Sequence, residues 1–165
     1  MDKTSSAGYS VLITGIAMLV HWHFFNTPQS GTILDLEFAR NYAAAQLASQ
    51  QWQQGAVIFN IVLDYVFLTA YGIFFYVSVQ RLGHILTGVW GQAAAILKWF
   101  GPLAALCDAV ENLLMLLFLT NGTGPNSFTS PFVWAVVKFA LVAVVILFYF
   151  VSTNIFIDRV YTRKS

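Results

Sequence analysis

Apolar residues along the chain gather into four long blocks, running approximately from Tyr9 to Phe25, Ala56 to Val79, Ala94 to Leu119 and Phe132 to Ile157. A helix needs about 20 mostly apolar residues to cross a hydrocarbon core. The blocks therefore predict an all-α integral membrane protein, a four-helix bundle in a single transmembrane domain covering residues 1–165, with no internal repeat. The first block follows Lys3 and competes with a secretory signal. It ends in His21-Trp22-His23-Phe24-Phe25 with no small-residue cleavage site, so it reads as an uncleaved span.

The connections differ in character. The link from Gln80 to Gln92 is short and carries Arg81, His84 and Trp90. Residues 120–131, TNGTGPNSFTSP, are rich in Gly, Pro, Asn and Ser and read as a turn. Residues 27–55 are too many for a plain link in a compact bundle. There Thr32 is a plausible cap, Asp35 and Glu37 would lie in a first turn, and Phe38 to Trp52 is rich in good helix formers. Phe38, Tyr42 and Ala45 recur at helical spacing. This predicts an extra outer amphipathic helix lying on the membrane surface or capping the bundle.

Composition supports the membrane reading. Hydrophobic residues make up 58% of the chain and charged residues 9%, against roughly 25% charged in an ordinary soluble domain. A net charge of +1 gives no electrostatic case for nucleic acid. A single cysteine, Cys107, excludes an intrachain disulfide. With both termini in the cytoplasm, Lys3, Arg81, Lys98, Arg159, Arg163 and Lys164 lie inside and only Arg40 outside. That bias orients the spans.

Against this apolar background a few polar groups stand out. Asp108, Glu111 and Asn112 fall within roughly a third of the circumference of the third span. Asn60, Asp64 and Tyr71 share a face of the second span. The fourth span carries Lys138, and the first carries His21 on the face of Thr14 and Ser10. Counting inward by helical rise, Asp64, Glu111, Asn112 and Lys138 each lie on the order of 10 Å below the outer boundary. A charge at mid-bilayer costs about 2.5–3.5 kcal/mol on insertion scales, so these groups are expected to turn inward and satisfy one another. Glu111 is the expected partner of Lys138, while Asp108, the deepest acid, is expected farthest from it. Gly101-Pro102 suggests a kink in the third span. His21 and His23 point about 200° apart on a helix, no zinc spacing occurs, and neither a phosphate loop nor a G-x-S-x-G elbow is present. Neither a metal nor a cofactor is expected.

The order LDLE (34–37), Trp52, LDYVFLTAYG (63–72) and DAVENLLML (108–116) resembles a group of small bacterial four-span membrane proteins whose function is uncharacterised. The resemblance implies a bacterial inner membrane and assigns no site residue. The sequence leaves three functions open. A polar pocket in the outer half of the bilayer could bind a small molecule or pass protons or cations, with self-association as a homo-oligomer. The chain could instead be an intramembrane enzyme acting on a lipid-like substrate through one of its carboxyl groups. It could also be a non-catalytic subunit or scaffold whose polar cluster seats a partner helix among membrane lipid.

Overall fold

The computed structural model describes residues 33–50, 52–121 and 124–162. Their regular elements are all helices, with no strand among them. The expected first span, residues 9–25 with His21 and His23, lies outside the described residues. Three stretches are long and apolar enough to cross a membrane: Gln54–Ile85, Val89–Asn121 and Phe132–Ser152.

Two short helices, α1 (Ile33–Glu37) and α2 (Tyr42–Ser49), occupy the segment for which one longer helix is expected. The break has a local cause. Asn41 adopts an extended backbone and its side chain accepts from Ala44 N–H at 2.9 Å, so it caps a new helix rather than continuing the old one. Then come α3 (Gln54–Ile85), α4 (Val89–Leu97), α5 (Phe100–Asn121) and α6 (Phe132–Thr162). The connection between the second and third apolar blocks shrinks to residues 86–88, because both helices run into the polar ends that the sequence suggests are link. Gly88 makes that corner possible with a φ of 64°. The third span is interrupted at Lys98 and Trp99, one turn before Pro102. Pro102 has no N–H to return to the carbonyl of Lys98, so the helix breaks there and restarts, with Leu103 N–H donating to Trp99 O at 3.0 Å.

Helix α5 is central. It packs along α3 on one side and α6 on the other, while α3 and α6 scarcely meet and α4 folds back on α3. The α3–α5 seam is made by small residues. A methyl group built on Gly101 would sit 2.4 Å from Cβ of Phe75, and one on Gly72 would sit 3.0 Å from Cβ of Ala105. Backbones can approach this closely only where side chains are absent.

Three apolar clusters stack along the seam. Leu36, Ala39, Ala45, Val57, Ile61, Met115 and Leu119 tie the 33–50 segment to the start of α3 and the end of α5. Leu68, Tyr71, Ala104 and Ala105 lie mid-bundle. Val79, Leu86, Ala94, Val145 and Phe148 close the opposite end. The outer surface is apolar as well: Phe59, Val66, Leu106, Val133 and Phe150 are all exposed. The buried set, by contrast, includes Glu37, Asp108, Glu111, Asn112 and Lys138. Apolar outside with charge inside suits a lipid solvent, where lipid tails cover the exposed aliphatics and the charges must find each other.

Candidate functional site

On α5 the buried positions run Gly101, Ala104, Ala105, Cys107, Asp108, Glu111, Asn112, Met115 and Leu119. That is a single stripe at helical spacing, and its middle is polar where its ends are small or aliphatic. On α6 Lys138 occupies the equivalent stripe, between buried Ala135 and Val145. The two stripes face each other, so the charges meet in the core of the helix pair.

The meeting is close. Nζ of Lys138 donates to Oδ1 of Asp108 at 3.0 Å and lies 2.9 Å from Oε2 of Glu111. The second contact is a close ion pair, and among the described residues neither oxygen of Glu111 receives an aligned hydrogen bond. Oδ2 of Asp108 accepts from the Tyr71 hydroxyl of α3 at 2.9 Å. Asp64, also on α3, accepts from Asn112 Nδ2 at 2.7 Å, and the Tyr65 hydroxyl donates to the carbonyl of Ala109 at 3.1 Å. Lys138 also rests against the ring of Phe139, 4.8 Å from its centroid. Fractional exposures are 0% for Glu111, 5% for Asp108, 7% for Lys138 and 8% for Glu37, so all four are removed from solvent.

Glu37 is the member that the sequence does not reveal. It reaches in from α1 to place Oε2 3.5 Å from Lys138 Nζ. Read as an acid in a first turn, it belongs on a solvated face. However, Ile33, Leu36 and Glu37 share one side of the helix at i, i+3 and i+4, and that side carries the buried Leu36. An acid on the apolar side of a short helix was the available signal. Burial holds the Glu37 carboxyl above its ordinary range, while Lys138 pulls it down and Asp108 adds to the rise.

The segment bearing Glu37 is fastened on several sides. Phe38 stacks on Phe139 at 5.8 Å between centroids. The Ser130 hydroxyl donates to the carbonyl of Ala39 at 2.6 Å. Arg40 lies over the ring of Phe132 at 4.6 Å.

Of the residues singled out by sequence, Asp64, Tyr71, Asp108, Glu111, Asn112 and Lys138 come together. Asn60 lies one turn from Asp64 and is half-buried. His21 lies outside them. One expectation is overturned. Asp108 is not the acid farthest from Lys138 but its hydrogen-bonded partner, at 3.0 Å. Depth along the helix misled, because the long lysine side chain reaches along the seam to both Asp108 and Glu111, which sit on adjacent turns of α5. Among the described residues, no group of three or more His, Cys, Asp or Glu is arranged to hold a metal ion.

No family model matches the chain, and neither a curated protein nor a solved structure shows significant similarity to it.

Proposed function

We propose that the chain is a multi-pass protein of a bacterial inner membrane, with both termini cytoplasmic. In this reading its acid–lysine cluster is a polar pocket in the outer half of the bilayer that takes up a positively charged occupant, an exchangeable proton or a small cation. Asp64, Asp108, Glu111 and Glu37 are the acceptors. Lys138 sets their affinity, and Asn60, Asn112, Tyr71 and His21 orient the network.

One observation carries this reading: three carboxyl groups, of which Glu111 is fully buried, converge on one ammonium, and among the described residues Glu111 receives no aligned hydrogen bond. Asp108 already receives two hydrogen bonds, from Lys138 and Tyr71, and is the natural counter-ion of the lysine. Glu37 and Glu111 are left as neighbouring carboxyls, and like charges in one buried site do not both ionise without a compensating positive charge. A proton shared between them, or a cation seated there, supplies the donor that the geometry lacks.

The test is infrared difference spectroscopy on protein in phospholipid nanodiscs. Stepping the pH upward from neutral should bleach a protonated-carboxyl band that is weakened in Glu111→Gln. If the occupant is a cation, sodium or methylammonium added at constant pH should shift the carboxylate bands instead. Neither response would leave the cluster a structural clasp and sink the proposal.

A further inference from the structure

We propose that Glu37 is the exchange residue of the cluster, passing protons between the aqueous face and Glu111, and that the cluster loads from that face alone. This rests on the proton form of the reading above and adds its route and direction.

Three observations converge on it. First, Glu37 is the member of the cluster that sits on a short helix outside the three long apolar stretches. Its α1 helix lies across the ends of α5 and α6, so its carboxyl joins a segment outside the long apolar helices to a cluster between them. Second, polar atoms follow one another inward from it. Glu37 meets Lys138 at 3.5 Å, Lys138 meets Glu111 at 2.9 Å and Asp108 at 3.0 Å, and Asp108 meets the Tyr71 hydroxyl at 2.9 Å. Third, the groups packed against Tyr71 on its far side are apolar, and the next buried polar atoms, the Tyr149 hydroxyl and Ser152 Oγ, belong to the opposite end of the bundle. Leu68, Ala104 and Ala105 surround it, and Val79, Leu86, Ala94, Val145 and Phe148 close the far end. The chain of polar groups thus begins at Glu37 on α1 and ends at Tyr71 inside the bundle.

Glu111 gives the route its target. It is fully buried, with Oε2 2.9 Å from the same Lys138 ammonium that meets Glu37. In the transfer the O–H bond of a protonated Glu37 breaks as an O–H bond forms on the Glu111 carboxylate. The carboxylate left on Glu37 then takes its next proton from water. The groups facing Glu37 during this exchange are Lys138 from α6, Glu111 and Asp108 from α5, and Asp64 from α3. Lys138 stays positive throughout and steadies whichever carboxylate is bare.

The experiment is a pH jump followed by time-resolved infrared spectroscopy, with the full chain in nanodiscs. In the wild-type protein the carboxyl band should follow the jump. In Glu37→Gln the remaining carboxyls should still titrate at equilibrium but exchange at least ten times more slowly, and Glu37→Asp should recover most of the rate. A Glu37→Gln protein that exchanges at the wild-type rate overturns the proposal while leaving the pocket reading intact. A wild-type protein with no titrating band instead removes the reading on which it rests. A second measurement needs no variant. In uniformly oriented vesicles the band should respond to a jump on the side exposing Asn126 and not to one confined to the other side, and a response to the opposite side alone, or to both equally, contradicts one-sided loading.

Discussion

At Lys138 a single ammonium joins three elements, α1, α5 and α6, through carboxylates that have left water. Removing it strands charges that no solvent reaches. Breaking one side of a buried pair typically costs about 3–5 kcal/mol, so Lys138→Met should lower stability by that order. Adding Asp108→Asn should restore part of the loss, because one stranded charge disappears with its partner. Unfolding in detergent with increasing dodecyl sulfate measures both variants and the double, and strictly additive losses would show that the pair is not coupled. Asp108→Asn alone should also be costly, since Asp108 accepts charge-assisted bonds that are each worth about 1.5–3 kcal/mol. Most of this was legible from sequence. A lysine and two acids inside apolar helices must pair, and Asp108, Glu111 and Lys138 do. Which acid receives the hydrogen bond was not legible, because that depends on how far a flexible side chain extends along the seam. Glu37 was missed because an acid near a short helix has an ordinary solvated explanation, and only tertiary packing turns its side of α1 inward.

The elements owe their arrangement to where side chains are missing as much as to where they are large. At Gly101 the α3 and α5 backbones come so near that a methyl group would overlap Phe75. Gly55, at the start of α3, has nothing within 4 Å of the same position. Gly101→Ala should therefore push the helices apart and cost about 1–3 kcal/mol, the usual range for overpacking. Gly55→Ala should be neutral or slightly stabilising, as expected where only helix propensity changes. The same dodecyl sulfate titration compares them, and equal effects would mean that the close seam does not govern stability. Separating α3 from α5 also pulls Tyr71 away from Asp108, so Gly101→Ala should perturb the carboxyl spectrum as well. The apolar blocks announced these helices clearly, since block length is a direct reading of what lipid requires. Their ends were less clear. Polar residues such as Arg81 and Gln92 extend the helices past the apolar runs, and the break at Lys98 and Trp99 reflects a hydrogen bond that Pro102, a turn later, cannot make.

On the scale of the whole molecule, the buried cluster and the positive residues Arg81 and Lys98 lie toward opposite ends of the bundle. The cluster lies nearer the end of the bundle that carries α1, α2 and the 124–131 connection. The positive residues Arg81 and Lys98 belong to the opposite end, Lys98 lying close to the rings of Tyr76 and Trp99 as an interfacial cation would. If lysine and arginine mark the cytoplasmic side, the end with Glu37 faces outward, and the proton loading proposed above would take place from outside the cell. A cysteine placed at Asn126, which is exposed in the connection before α6, should react with a membrane-impermeant maleimide applied to intact cells. One placed at Ser165 should react only after the membrane is opened. The native Cys107 is buried and should stay silent in both cases, so it need not be removed. The reverse pattern would turn the cluster toward the cytoplasm. The pairing of Lys138 would survive, since it depends only on distances within the bundle, but the direction of proton loading would change sign. Labelling thus separates what the helices do to each other from what the membrane does to them, and it decides which compartment Glu37 answers to.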